Sequence, residues 1–408
     1  MPSPAPFPDT EHDAVIVGAG PVGLAQALSL AGAGLRVAVV DAQPAAALAA
    51  PAEDGREIAL THRSEALLRR LGVWQRLAAG EVGRIREARV VDGPFFGRAL
   101  CLAAAEAGHA ALGAIVPSHA LRRASHEAAL AAGGRLQLEA GRRVEGVRLL
   151  ARHAQVDTDA GPLRARLVVA ADSRFSALRR QLGVAAASHD FGRTMVVCRM
   201  AHARPHDEVA YECFGYERTL AVLPLPGRVS SVVLTAESAR AAALMALPPA
   251  AFAAQVQAQF QGRLGAMALA GERHAWPLVA VRAGRFAGHR FALAGDAAVG
   301  MHPVTAHGYN LGLQGVDTLT EVLLRAREAG RDIGAAEVLQ AYERRHRHET
   351  TAIYHGTNLV ARLYAGTALP QRLLRQAVLQ GARRLPPLKA AILHQLTGGA
   401  ALAKGSAQ

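Results

Sequence analysis

The chain has 408 residues, 51% of them hydrophobic, which is enough for two domains or for one large α/β body with an inserted sheet. A net charge of +13 suits an anionic surface, but aromatic residues make up only 4% and no nucleic-acid motif occurs, so nucleic-acid partners are set aside. No apolar run reaches the ~18–20 residues of a membrane span, the opening Met1-Pro-Ser-Pro-Ala-Pro-Phe-Pro8 has no secretory pattern, and Cys101, Cys198 and Cys213 lack any metal spacing, so a cytoplasmic protein with reduced cysteines and no metal site is expected.

Residues 13–17 form a short apolar run that reads as a buried strand. Gly18-Ala-Gly20-Pro-Val-Gly23 follows at once, and residues 24–33 read as a helix. In this spacing Gly18 permits a tight turn, Gly20 lets backbone approach a pyrophosphate, and Gly23 lets helix and strand pack closely. A second strand over 36–40 ends at Asp41, an acid placed to take the ribose hydroxyls of an adenosine. The motif by itself does not separate nicotinamide from flavin dinucleotides. The Ala/Pro-rich residues 44–51 form a loop, and Arg56-Glu-Ile-Ala-Leu60 precedes a helix over 64–71 that Gly72 closes. Residues 13–180 alternate strand and helix patterns, which predicts a parallel sheet. Near its end, a strand over 167–171 runs into Asp172-Ser-Arg-Phe-Ser176-Ala-Leu-Arg179, where Asp172 reads equally as a ligand or as the cap of a surface turn.

The character then changes. Short runs rich in Val, Leu and aromatics at 195–200, 209–214, 219–225 and 230–235 predict a β-meander, followed by an Ala-rich helix over 249–261. Tyr211 and Phe214 fall on one of these strands and are candidates to line a pocket, or to be sheet core. Another strand over 290–294 ends at Gly295-Asp296, a turn-rich loop follows, and a helix opens near Gly308. A carboxylate at a strand end accepts hydrogen bonds from sugar-like hydroxyls, and a helix N-terminus offers free N–H groups and partial positive charge. Together they suit FAD, which has a polyol chain and a ring that becomes anionic on reduction. From residue 314 the pattern is helical. Residues 335–350, 369–380 and 387–396 mix apolar and basic positions, as either an interfacial amphipathic helix or a packed helix with a wetted basic face does.

Gly295, Asp296, Ala297, Ala298, Pro303, Gly308 and Asn310 follow the pattern Gly-Asp-Ala-Ala-His, a spacer, Pro, then Gly-x-Gly-x-Asn. With the two earlier motifs in order, the chain resembles, over nearly its whole length, the FAD-dependent aromatic-ring monooxygenases. Within them it is similar to the ubiquinone-biosynthesis hydroxylases of the UbiH/UbiF type, and the wording Thr305-Ala306-His307-Gly308-Tyr309-Asn310 is nearest the UbiM-like branch. It departs at Val299, where His is frequent, at Ala306-His307, where Gly-Gln is usual, and at Ser173, where the family has Gly.

The resemblance implies an α/β fold with a discontinuous Rossmann-like FAD-binding domain (1–185 and 286–335). A mainly antiparallel β substrate domain is inserted over 186–285, and C-terminal helices occupy 336–408. It implies FAD held by Gly18, Gly20, Gly23, Asp41, Arg56, Asp172, Gly295, Asp296, Pro303, Gly308, Tyr309 and Asn310, with NAD(P)H as electron donor. The implied reaction is hydroxylation by O2, through a flavin C4a-hydroperoxide, of the ring of a prenylated phenol or quinol on the way to ubiquinone. Pro303 would stiffen the loop beside the ring, and His307 is the candidate base, with His302 in the same loop. A peripheral contact with the inner face of the membrane and a ubiquinone-biosynthesis complex are expected partners. The alternatives are a hydroxylase of a soluble aromatic metabolite and a flavin-binding assembly protein without turnover.

Overall fold

The computed structural model describes residues 11–93, 99–215, 218–301, 308–365 and 378–397. Its first sheet is built on five parallel strands in the order Phe291–Leu293, Leu163–Ala170, His12–Val17, Val37–Asp41 and Leu136–Ala140. Their near-continuous apolar runs are what a sheet covered on both faces requires; Ala14, Val15 and Ile16 are fully buried. Helix Pro21–Gly32 packs against both Ser118–Ala132 and Gly308–Glu328, and the last packs against Ala336–Ala365. Strands Ala154–Thr158 and Val144–Leu149 extend the sheet antiparallel beside Leu163–Ala170. Because Phe291–Leu293 pairs in parallel with Leu163–Ala170, the sheet is assembled from both sides of an inserted segment.

That segment forms most of a second, nine-stranded sheet. Its long central strand, Ala186–His202, pairs antiparallel with His274–Ala283 on one side and Val229–Glu237 on the other, and Thr219–Leu225 and Val209–Phe214 continue outward. The sheet is wider than residues 186–285 alone. Glu87–Asp92 joins Val209–Phe214 in parallel, Leu100–Ala103 forms the far edge, and Val299–Gly300 closes the other edge. The first strand is also longer than the apolar run at 195–200, because its N-terminal half is an exposed-alternating stretch with a register shift between Asp190 and Thr194. Helices Ser238–Ala246 and Pro249–Gln259 cover one face of this sheet, where Val196, Cys198, Met200, Val232, Leu234, Phe252 and Phe260 form a closed core. A small sheet of Glu57–Leu60, Gly113–Pro117 and Gly83–Ile85 completes the architecture. Among the described residues no helix is long and apolar enough to cross a membrane, and no group of His, Cys, Asp and Glu is arranged to hold a metal.

Candidate cofactor and substrate site

The three glycines of the first turn have separate tasks. Gly18 has φ +111°, and a Cβ there would lie 2.5 Å from the Ala171 carbonyl oxygen. A Cβ on Gly23 would lie 2.0 Å from the Gly18 carbonyl oxygen. Both positions are consumed by packing. Gly20 differs: its backbone is ordinary, and a Cβ would meet nothing within 4 Å. It is the N-cap of Pro21–Gly32, whose start carries neither a side-chain cap nor an acidic residue. Open space therefore faces a helix N-terminus with unsatisfied N–H groups, a setting for a phosphate. Asp41, at the end of Val37–Asp41, accepts the Ala19 N–H at 2.7 Å and the Gln43 N–H at 2.8 Å, which ties the glycine turn to the second strand.

Asp172 sits beside this turn and is a cap. Its carboxylate accepts the Ser176 hydroxyl at 2.5 Å and the Ala177 N–H at 2.9 Å, and Ser176 Oγ in turn accepts the Arg179 N–H at 2.9 Å. Ser173 is not among the residues of positive φ, so the turn does not require glycine there. The buried Arg179 donates to the Ala297 carbonyl at 2.9 Å and thereby fixes the next loop.

That loop, a 3₁₀ turn over Gly295–Ala297, presents Asp296. Its Oδ2 accepts from Arg174 Nη2 at 2.9 Å and Nε at 3.2 Å, while Arg174 Nη1 donates to the Val279 carbonyl of the second sheet at 2.9 Å. Oδ1 of Asp296 has no partner among the described residues. Gly295 has φ +57° and lies on Val22, as does Gly312, so the loop is pinched between helices Pro21–Gly32 and Gly308–Glu328. The glycine turn, the Asp172–Arg179 turn, Asp296 and the start of Gly308–Glu328 thus converge. Asn310 accepts the Thr61 N–H at 3.0 Å and donates to the Ala59 carbonyl at 2.8 Å, which docks this helix start on strand Glu57–Leu60. Next to it the Tyr309 hydroxyl is buried with no partner among the described residues, and burial raises its pKa. A Cβ on Gly308 would meet nothing within 4 Å. His302, Pro303 and His307 lie outside the described residues.

Arg56 is committed to the interface between the sheets. It donates to Asp54 Oδ2 from Nε at 3.0 Å and Nη2 at 2.6 Å, and its guanidinium lies 4.8 Å from the Trp276 ring centre. Burial alone would raise the Asp54 carboxyl, but the hydrogen bonds and charge of Arg56 and the hydroxyl of Ser118 outweigh it and hold it below the usual range. The next residue, Glu57, is nearly inaccessible and accepts from Arg199 Nε of the second sheet at 2.9 Å; its Oε2 has no partner among the described residues. Burial pushes the Glu57 carboxyl up to about 7, against the pull of Arg199. The folded protein therefore keeps this proton to about pH 7, whereas an unfolded glutamate releases it near 4.5. Stability from this group falls as pH rises across that window, by about 3 kcal/mol, and is level above it. Glu57→Gln is expected to remove that slope. Denaturant unfolding of both proteins at several pH values checks it, and parallel curves would show that Glu57 is ionised throughout.

The two aromatic candidates on Val209–Phe214 part company. Tyr211 packs edge-on against Phe260, with ring centres 5.0 Å apart, in the helix-covered core. Of the two readings open for Tyr211, pocket lining or sheet core, strand alternation turns its side chain toward the core. Phe214 is buried, on the opposite side of the strand from Tyr211.

A cofactor with a pyrophosphate, two sets of sugar hydroxyls and a ring fits this donor and acceptor set. Residues 11–356 match the model of a family described as FAD binding domain. The chain is 43% identical over 396 residues to "Ubiquinone hydroxylase UbiM" of Neisseria meningitidis, covering 96% of this chain and 86% of that protein. It is 36% identical to "Ubiquinone hydroxylase UbiL" of Rhodospirillum rubrum, covering 96% and 90%. In structure it is similar to p-nitrophenol 4-monooxygenase PnpA of Pseudomonas putida, with a TM-score of 0.76 at 20% identity, over 95% of this chain and 99% of that one.

Proposed function

This chain belongs to the FAD-binding family of aromatic-ring monooxygenases, and we propose that it hydroxylates the ring of a prenylated ubiquinone precursor with O2 and electrons from NAD(P)H. The observation that carries this reading is the near full-length likeness to ubiquinone hydroxylases, supported by the meeting of the glycine turn, the Asp172–Arg179 turn, Asp296 and the start of Gly308–Glu328. FAD bound there supplies two-electron reduction and the activation of O2, chemistry that side chains lack. The chain's own residues bind and orient. The N–H groups at Gly20 face the pyrophosphate, and Asp41 takes the adenosine ribose. Asp296 would offer Oδ1 to the ribityl hydroxyls, and backbone N–H groups from Gly308 to Asn310 would stabilise negative charge on the ring. Gly18, Gly23, Gly295 and Asp172 shape the turns that present these groups, and Arg56, held by Asp54 and Trp276, stands where the family has an FAD-contacting arginine. The cofactor domain comprises residues up to 185 and 286–335, apart from Glu87–Asp92 and Leu100–Ala103, which join the substrate sheet over 186–285, and helices Ala336–Ala365 and Pro386–Thr397 follow.

A long prenyl chain keeps such a substrate at a membrane surface. Val378, Leu385 and Leu388 are exposed, and the same stretch carries Arg383 and Arg384, as in an interfacial contact. A strain lacking the gene is expected to lose ubiquinone and accumulate a precursor short of one ring oxygen, read by mass spectrometry of quinones. The purified protein is expected to be yellow and to sediment with anionic vesicles at low salt only. Unchanged ubiquinone in a strain without a second such enzyme would turn the reading toward a hydroxylase of soluble aromatics.

A further inference from the structure

Strand Val209–Phe214 places a carboxyl, Glu212, on the face of the second sheet opposite the helix-covered core, since its neighbours Tyr211 and Cys213 both belong to that core. Directly paired residues form one rung across the sheet: His274, Val197, Val233, Ala221, Glu212, Val90 and Leu100. At one end of this rung the cofactor-domain backbone lies on the sheet, because a Cβ on Gly55, next to Arg56, would come within 2.6 Å of His274 and 2.9 Å of Val197. At the other end Leu100 packs with Leu393 of helix Pro386–Thr397. Glu212 stands between these walls, three strands and about 14 Å from Val197.

Glu212 has no hydrogen-bond or ion-pair partner among the described residues. Protein surrounds its carboxyl deeply enough for desolvation to push it up to about 8, yet the side chain keeps part of its surface accessible. Its neighbours on this face, Val90 and Ala210, pack with Leu100, Leu379, Ala382 and Leu393, so the carboxyl stands at the margin of an apolar cluster with part of its surface open. The charged groups sharing this face are Asp92, paired with Phe214 two rungs along, and Arg199 with its partner Glu57, three strands away. Of the helix that covers the Leu100 edge, Lys389 is paired with Glu106, and His394 is the other titratable group.

We propose that Glu212 is the acid–base group of the substrate pocket: it holds the phenolic hydroxyl of the bound ring and accepts its proton. The inference rests on the reading of the protein as a phenol hydroxylase. The O–H bond of the phenol breaks, the proton passes to a Glu212 carboxylate oxygen, and the electron pair stays on the phenolate. Electron density rises at the ortho and para carbons, which are the positions that accept an electrophilic oxygen atom. After transfer the proton returns to the product hydroxyl, so Glu212 ends as it began. Only the ionised carboxylate can accept, so turnover rises as pH passes through about 8.

The test uses the FAD-loaded enzyme, Glu212→Gln and ortho-prenylphenol as a short soluble probe. The amide keeps an acceptor for the hydroxyl but cannot take a proton. The expected result is an unchanged KM, a kcat lower by roughly a hundredfold, and loss of the ascending pH limb. The ultraviolet phenolate band of bound probe, followed without turnover, is expected with the wild-type protein and not with the variant. A variant with wild-type kcat, pH limb and phenolate band overturns the role of Glu212 while leaving the hydroxylase reading intact. A wild-type enzyme that neither binds nor oxidises any prenylated phenol overturns both.

Discussion

Gly23→Ala is expected to destabilise the folded protein severely, while Gly20→Val, three residues earlier, is expected to fold and to purify without colour. A Cβ on Gly23 meets the Gly18 carbonyl oxygen at 2.0 Å, backbone against backbone at the crossing of the first strand and the first helix. Neither can retreat without shifting the parallel sheet, so the cost is about 3 kcal/mol or more, a large share of the ~5–15 kcal/mol that holds a domain. Gly18→Ala meets a similar contact and adds strain at φ +111°. At Gly20 the φ of −69° suits any residue, and the added side chain enters open space. The space it fills is the one assigned to the pyrophosphate, so FAD affinity is expected to fall at least about a hundredfold, or ~2.7 kcal/mol. Thermal melting of the apoproteins and titration with FAD separate the two effects. A Gly20→Val protein that holds FAD as tightly as the parent would place the pyrophosphate elsewhere, and a stable Gly23→Ala would contradict the packing.

The parts of this molecule that can be read from sequence are those whose geometry is local. The run Asp13–Val17 with its three glycines, the strand ending at Asp41 and the turn at Gly295-Asp296 each place backbone and side chain within a few residues. The second sheet depends instead on which strands lie together. Strands Glu87–Asp92 and Leu100–Ala103 look like part of the alternating first segment, yet they extend the antiparallel sheet, because parallel pairing of Glu87–Asp92 with Val209–Phe214 joins positions over a hundred residues apart. The same limit applies to faces. Period-two alternation divides Val209–Phe214 into Tyr211 and Cys213 against Ala210, Glu212 and Phe214, but only the position of helix Pro249–Gln259 tells which set is core. Sequence alone therefore leaves Tyr211 open between pocket and core, and the signal on this strand is Glu212, a charge among apolar residues. Arg174 lies inside a motif that the sequence displays, but its partner Asp296 is 122 positions away. Glu57 and Arg199, 142 positions apart, were invisible for the same reason.

Replacing Asp296 by Ala is expected to weaken FAD about ten- to a hundredfold, or ~1–3 kcal/mol, through loss of a charged acceptor for the ribityl hydroxyls. Arg174 decides how that acceptor is presented. It engages Oδ2 alone, leaves Oδ1 to a ligand, and anchors itself on the Val279 carbonyl of the second sheet. The carboxylate is thus aimed by an arginine that spans both sheets, and its negative charge is compensated before the cofactor arrives. If that is the whole role of Arg174, Arg174→Ala weakens FAD less than Asp296→Ala does, and the double variant binds no worse than Asp296→Ala alone. The two changes are then strongly non-additive, as for groups acting through one another, with a coupling of ~0.5–3 kcal/mol. FAD fluorescence on release from each of the four proteins gives the cycle directly. Additive losses would mean that Arg174 touches the cofactor itself, and the assignment of Asp296 as the acceptor it orients would have to be given up.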